Sequence, residues 1–489
     1  MREGAHDGRP RPGRVTILQV NDAHGYLEPH PELMWEGREA SYPALGGYAA
    51  MAGYCRAVRA ERPGVVVLLD NGDTFHGTYP VVQSKGEALL PLLNAMRFDA
   101  MTAHWDFAYG PGHLKTLVSR LTYPLLAINC FDEGTGTLAF PPSVVVERGG
   151  LRIGVIGIAA TIVDKTMPPH FSTGLRFTLG NEELPGHISQ LRDEGVDLVV
   201  VLSHLGFPQD AKLAAEVAGI DVLLSGHTHN RLRAPVWVNG TAIIQSGCHG
   251  AFIGRLDLDT TGGRVEVAHH ALVPMDGSVP RDPAMQAMVE GIMAPHRGML
   301  RARAGRTSVA LNRSTMLEAT MDNLLLAAIQ EAGGTTIAFS NGWRYGAPVP
   351  VGDVTVNDAW NMVPGNPPVS VVELTGQEVL DMMEENLERT FAADPYAQMG
   401  GYMKRCAGMT IHAKLENPAG HRIERILIGG GPLRPEATYT ASYVTAQGVP
   451  ARFGRNRREL PVHAVDAVLR YVGGYGTVAP AITGSVVAV

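Results

Sequence analysis

The chain has 489 residues, 45% of them apolar, with 57 glycines and 33 prolines; this is too long for one ordinary core and points to two domains of a loop-rich globular protein. Its 41 basic and 48 acidic residues leave a formal net charge of -7, which gives no electrostatic reason to bind nucleic acid. No stretch reaches the roughly 18 to 20 apolar residues of a membrane span, and Cys55, Cys130, Cys248 and Cys406 are too dispersed for a disulfide framework or a zinc knuckle.

Residues 1–14 are polar and lack the apolar segment of a secretory signal, so a disordered tail is expected there. The sequence as it stands reads as cytoplasmic, and as periplasmic if its N-terminus has been trimmed. Short, apolar, β-branched runs predict buried strands at 15–20, 65–70, 151–159, 196–202 and 220–224. Helices are expected between them at 46–60, 86–96, 184–194 and 210–218, an alternation that reads as an α/β layer architecture. Further strands follow at 241–258 and 264–272. A charged helical bridge over 282–303 leads to a second composition, with a helix at 320–332, a strand and glycine turn at 336–346, a helix at 375–390 and more strands. The expected division is a tail over 1–14, a catalytic α/β domain over 15–280, a helical linker over 281–306 and a smaller α+β domain over 307–489. The basic stretch from Arg452 to Arg458 reads as a solvated loop.

Five clusters fall where strands should end: Asp22-Ala23-His24, Asn71-Gly72-Asp73, Ala103-His104-Trp105, Ser203-His204 and Gly226-His227-Thr228-His229. Side chains just past the carboxyl ends of such strands share one sheet edge, so these distant residues can converge. Converging carboxylates and imidazoles are what a two-metal hydrolase needs, and they suit manganese, zinc or iron. Asp73, between glycine and threonine in a tight turn, is the candidate bridge between two ions. His76, His113, His170, His187 and His249 stand outside the ordered set and read as satisfied core or loop histidines.

The segments NDAHG at 21–25, DNGDTFHGT at 70–78, SHLG at 203–206, GHTH at 226–229 and VDAVLRYVGGYGTV at 465–478 together resemble the calcineurin-like metallophosphoesterases, specifically the 5'-nucleotidase family, over nearly the whole chain. The resemblance implies an N-terminal metallophosphoesterase α/β sandwich, two sheets flanked by helices, and a smaller α+β C-terminal domain of 5'-nucleotidase type. It implies two divalent ions, manganese foremost with zinc or iron as alternatives. One would be held by Asp22, His24, Asp73 and His229, the other by Asp73, His104, His204 and His227.

The third cluster departs from the family, which usually has GNHEFD where this chain reads AHWDFA at 103–108. The metal-binding asparagine position becomes His104. The next residue, a histidine that assists the leaving group in nucleotidases, becomes Trp105, and its supporting aspartate becomes Ala108. Indole donates a hydrogen bond but transfers no proton near neutral pH. The His-Trp pair resembles the SoxB branch, the dimanganese thiosulfohydrolases of bacterial sulfur oxidation, as do SNGWRYG at 340–346 and DPYAQMGG at 394–401. The nucleotidase hallmark GGDG is replaced by AQGVPARFG at 446–454, and no nucleobase-clamping aromatic pair can be mapped.

Arg344 is the candidate oxyanion anchor, since a guanidinium grips phosphate or sulfate bidentately. With Asp73 and His104 it forms the expected catalytic set. Trp105, Trp343, Tyr345 and Tyr396 are candidate pocket walls, and core packing accounts equally for the last three. Three readings compete. The first is hydrolysis of a small phosphoester or phosphoanhydride with a good leaving group by metal-activated hydroxide. The second is SoxB-like release of sulfate from a cysteine S-thiosulfonate on a sulfur carrier protein, and the third is a non-catalytic metal-binding scaffold. The first is placed ahead, with a small anionic substrate and neither nucleic acid nor membrane as partner.

Overall fold

The apolar runs near the N-terminus are buried on both faces, and that double burial sets the architecture. In the computed structural model, which describes residues 13–363 and 365–489, the parallel strands β1 (Arg14–Val20), β2 (Val66–Asp70) and β3 (Ala100–Met101) lie side by side. The antiparallel strands Phe252–Asp259 and Glu266–Pro274 extend this sheet beyond β1. A second sheet is built on the parallel strands β4 (Leu151–Ile158), β5 (Leu198–Ser203) and β6 (Val222–Ser225).

Because successive side chains point to opposite faces, alternate residues divide between two environments. Val15, Ile17, Val67 and Leu69 of one sheet share a cluster with Ile153, Val155, Val200 and Leu224 of the other, so the sheets pack face to face. Leu18, Val20 and Leu68 point outward onto Tyr48, Met51 and Cys55 of α1 (Tyr48–Glu61). Val199, Val201 and Leu223 point outward onto Ile188, Leu191 and Leu213 of the helices Leu184–Asp193 and Phe207–Glu216. The result is a four-layer sandwich, two sheets flanked by helices.

The expected tail over 1–14 lies outside the described residues except for its last two, and Arg14 already belongs to β1. The run expected as one strand over 241–258 divides into Thr241–Ile244 and Phe252–Asp259, which join different sheets. The turn between them carries Gly247 and Gly250 at positive φ. The helix expected over 86–96 becomes a 3-10 turn, Glu87–Leu89, followed by the α-helix Leu90–Met96. Pro91 suits the first turn of that second piece, where its missing N–H is no loss.

The charged bridge is not a free linker. Its helix α2 (Pro283–Met293) is capped by Asp282, which accepts the N–H of Met285, and it packs Met285, Val289 and Met293 into the cluster that holds α1. Gly53 of α1 permits that approach, since a Cβ there would stand 1.8 Å from the carbonyl oxygen of Pro280. Helical structure ends at Leu300, and Arg303–Thr307 is a strand paired with Gly352–Thr355.

The C-terminal unit follows with α3 (Thr320–Gly333), β7 (Ile337–Gly342), β8 (Pro368–Thr375), α4 (Gly376–Phe391) and β9 (Tyr402–Ala407). Its main sheet runs β9, β7, Thr438–Tyr443, β8 and Arg455–His463. A capping box between Thr375 and Glu378 fixes where α4 starts. The stretch expected as a basic loop instead opens the edge strand Arg455–His463, with Arg452 outside that strand. No helix among the described residues is long and apolar enough to cross a membrane, and all four cysteines are free and buried.

Asp322 of α3 is the buried anchor of this unit. It accepts from Arg313 Nε at 2.7 Å and Arg405 Nε at 2.9 Å, with all three side chains about 1% exposed. Arg313 also donates to the carbonyl of Tyr345 at 2.6 Å, so the pair of arginines ties the turn at 343–346 and β9 to one carboxylate. Asp322→Ala leaves two buried guanidiniums without their anion and is expected to cost about 3–5 kcal/mol of stability. Chemical denaturation at pH 7 measures it, and a loss under about 1 kcal/mol would contradict the anchoring role.

Candidate metal centre

Every candidate ligand follows the carboxyl end of a parallel strand. Asp22 and His24 follow β1, Asp73 follows β2, His104 follows β3, His204 follows β5, and His227 with His229 follows β6. The backbone reverses at these points: Asp22, His24, Asp73, His227 and His229 have φ of 53°, 49°, 55°, 68° and 58°. The left-handed region is costly for non-glycine residues and persists only where the surroundings enforce it. Here the enforcement is visible. Asp22 N–H donates to the Gly72 carbonyl at 3.1 Å and His24 N–H to that of Asp73 at 2.7 Å. The buried carboxylate of Asp106 accepts the N–H groups of Asp73, Thr74, Phe75 and His104 at 2.9–3.1 Å. The side-chain amide of Asn71 donates to the carbonyls of Ser203 and Leu224, which holds the two sheets in register at this edge.

Two donor sets result. One atom each from Asp73, His104, His204 and His227, and one each from Asp22, His24, Asp73 and His229, lie within 4.8 Å of one another. Asp73 belongs to both. His204 Nε2 stands 3.4 Å from Asp73 Oδ2, His229 Nε2 3.2 Å from Asp22 Oδ1, and His24 Nε2 3.2 Å from His229 Nε2. Donors bound at about 2.0–2.3 Å to one ion stand at separations of this order.

The nitrogen atoms His104 Nε2, His204 Nε2 and His227 Nε2 are buried without a hydrogen-bond partner. Leaving three such groups unsatisfied around one carboxylate is unfavourable in the absence of a cation, so the residues present fit a metal pair. Protonation points the same way. Burial pushes His24 and His227 well below the usual imidazole range, which favours the neutral form that ligates. Burial disfavours the Asp73 carboxylate, but His104, His204 and His24 outweigh it and hold the group ionised. Burial also acts against a charged His204, yet Asp73 and Asp22 raise it to about 10; an ion bound there would displace that proton.

The donors open into a cavity of about 260 Å³ between the two units. Arg344, Trp105, Trp343 and Tyr345 line it, together with Lys165, Met399, Gly400, Lys404, Arg389 and Phe453. Arg344 reaches the His227 carbonyl at 3.4 Å and the Gly401 carbonyl at 3.1 Å, and no carboxylate pairs with it among the described residues. Trp105 stacks on His76 with ring centroids 4.8 Å apart, and its backbone N–H donates to Asp73 Oδ1 at 2.8 Å. Gly400, at φ +69°, lets the 394–401 segment close over the site, since a Cβ there would stand 2.4 Å from His227 Nε2.

Tyr396 is not among the lining residues: its hydroxyl donates to Glu216 at 3.0 Å and Lys212 lies over its ring. Two histidines read as background stand at the site. His76 Nε2 is 3.0 Å from His24 Nδ1, and the rings of His249 and His229 are 5.8 Å apart. His113 and His170 bond backbone carbonyls elsewhere, and His187 lies on the helix Leu184–Asp193.

A sequence profile described as 5'-nucleotidase, C-terminal domain, matches residues 300–447. The chain is 24% identical over 476 residues to the trifunctional nucleotide phosphoesterase protein YfkN of Bacillus subtilis (strain 168), a match that covers 86% of this chain and only 31% of that much longer protein. Its fold is similar to that of the sulfate thiohydrolase SoxB of Thermus thermophilus, with a TM-score of 0.90 at 24% identity over 98% of this chain and 97% of the other. It is similar also to the 5'-nucleotidase precursor of Thermus thermophilus, with a TM-score of 0.84 at 24% identity, covering 97% and 99%.

Proposed function

We propose that this chain, which belongs to the calcineurin-like metallophosphoesterase/5'-nucleotidase family, is a dinuclear metal hydrolase that cleaves a small phosphoester or phosphoanhydride. The observation that carries the reading is Asp73 within both donor sets, beside three orphaned imidazole nitrogens. Asp22, His24, Asp73 and His229 would hold one divalent ion and Asp73, His104, His204 and His227 the other. When bound, the pair lowers the pKa of water so that a nucleophile forms near neutral pH, and it neutralises charge on the group attacked.

The chain's own residues do the rest. Arg344 comes over from the C-terminal unit, held by two carbonyls and lying over the Tyr402 ring, with no carboxylate partner among the described residues, ready to grip an anionic oxygen. Trp105, Trp343 and Tyr345 supply flat apolar walls that exclude water from the group held there. Phosphate release from p-nitrophenyl phosphate, dependent on added Mn²⁺ and abolished by a chelator, tests the reading; no release from any phosphate ester with both sites filled would overturn it.

A second reading is sulfate release from a cysteine S-thiosulfonate on a carrier protein. It is favoured by Trp105 in place of a proton-donating histidine and by the likeness of SNGWRYG at 340–346 and DPYAQMGG at 394–401 to that branch. Sulfate released from an S-thiosulfonated peptide, with no phosphate released in parallel assays, would put it first.

Arg344→Ala is expected to lower kcat/KM by about 10- to 150-fold, the loss of one charge-assisted hydrogen bond worth about 1.5–3 kcal/mol. Metal content should stay at the wild-type level, because the side chain touches no ligand side chain. An unchanged kcat/KM would show that the guanidinium faces no substrate.

A further inference from the structure

The wall of the cavity contributed by the C-terminal unit carries more positive charge than its own chain neutralises. Arg389 of α4, Lys404 of β9 and Arg452 all line the cavity, and among the described residues Glu385 is the one acidic side chain of this wall. Glu385 is already shared, by Arg389 at 2.8 Å and by a close contact with Arg452. One carboxylate therefore serves two guanidiniums, and none remains for Lys404.

Lys404 is the unusual member. It is 5% exposed, in a fold where lysine is rarely buried without a counter-charge. Its ammonium donates to two main-chain carbonyls, those of Gln447 and, at 2.8 Å, Gly448. An ammonium has three N–H donors, so one is left unspent among the described residues. The Lys404 main chain is fixed by Asn386, whose side-chain oxygen accepts the Lys404 backbone N–H at 2.7 Å. Burial, reinforced by Arg389 and Arg452 and opposed by Glu385, brings the amine down to about 7. A buried cation so poorly compensated is what an anion entering the cavity would stabilise.

Arg344 is held elsewhere, by the carbonyls of His227 and Gly401 beside the donor sets. Two groups that suit negative charge thus line the cavity, the metal ligands with Arg344 and the wall that carries Arg389, Lys404 and Arg452. We infer that the molecule this site accepts carries a second anionic group, a carboxylate or phosphate remote from the group cleaved, and that Lys404, with Arg452 and Arg389, binds it. This rests on the hydrolase reading for the metal end of the cavity alone.

The test compares pairs of ligands that differ by one remote charge, titrated calorimetrically into the Mn²⁺-loaded full chain. The first pair is phenylphosphonate and 4-phosphonobenzoate; the second is benzenesulfonate and 4-sulfobenzoate. The doubly anionic member of whichever pair binds should be favoured by about tenfold or more, as expected of a charge-assisted contact in a shielded site. That ratio should collapse toward one in Lys404→Met and fall in Arg452→Gln, and it should persist in Lys404→Arg. Arg452 is half exposed and its replacement keeps the fold even where Lys404→Met does not. Preference within the sulfonate pair, with no binding of phosphonates, would refute phosphoryl chemistry and keep the second anion site. Equal affinities within both pairs, or a preference untouched in both charge-removing variants, would refute the site itself.

Discussion

Asp73→Ala is expected to empty both metal positions and lower turnover by about 10³-fold or more, beyond the roughly 10²–10³ that removal of one transition-state donor costs. Asp73 is the one side chain common to the two donor sets. Its loss deprives His104 and His204 of the carboxylate that stands 3.2 Å and 3.4 Å from their nitrogens. The effect should exceed that of any single histidine, because each histidine serves one set alone. Elemental analysis of the dialysed protein, run beside His229→Ala and His204→Ala, makes the comparison. Two equivalents of metal retained by Asp73→Ala would end the assignment of a shared carboxylate. A control is needed because the Asp73 backbone N–H also bonds Asp106; circular dichroism identifies a variant that has lost the loop instead of the ion.

The convergence of the Asp and His clusters is legible in the sequence because its two determinants are local. A run such as 198–202 is apolar throughout, so it reads as a buried strand, and His204, two residues past it, is thereby placed at a sheet edge. Repeating that for five clusters brings the ligands together without any knowledge of which strands are neighbours. What could not be read is how the edges meet. The clusters come from two sheets, and the residues that register them, Asn71 and Asp106, look like ordinary polar residues in sequence.

The wall that carries Lys404 and Arg452 is illegible for the same reason in stronger form. Lys404 lies between Met403 and Arg405 in a strand, a position where a lysine normally faces solvent, and only the approach of the Gln447 and Gly448 carbonyls buries it. Arg452 heads a basic stretch that reads as a solvated loop, yet it lines the cavity through its contact with Glu385 of α4, more than sixty residues away. Tyr396 errs the other way: an aromatic inside a motif reads as a pocket wall, whereas Glu216 and Lys212 hold it outside. His76 and His249 read as background because a lone histidine usually is, and only the fold brings His76 to 3.0 Å from His24.

Rates should depend steeply on the pKa of the leaving group. By the resemblance to the nucleotidases, Trp105 stands where a histidine would protonate the departing oxygen and Ala108 where an aspartate would support that histidine. Trp105 is committed to other contacts, stacked on His76 and edge-on to Phe171 at 5.4 Å. An indole gives up no proton near neutral pH, so Trp105 offers the departing atom none. Losing a general acid costs about 10²- to 10⁴-fold when the departing atom needs a proton, and very little when it does not. A p-nitrophenolate, a phosphate leaving from an anhydride, and a thiolate from a thiol of pKa about 8.5 need it least; the alkoxide of a nucleoside monophosphate needs it most. With Mn²⁺ at fixed pH, kcat/KM for p-nitrophenyl phosphate and a nucleoside diphosphate should therefore exceed that for AMP by about two orders of magnitude or more. Trp105→His restores only half of the missing pair, since Ala108 still offers no carboxylate, so it should narrow that gap without closing it. AMP hydrolysed as fast as the aryl ester by the wild-type chain would mean that another group at the site supplies the proton.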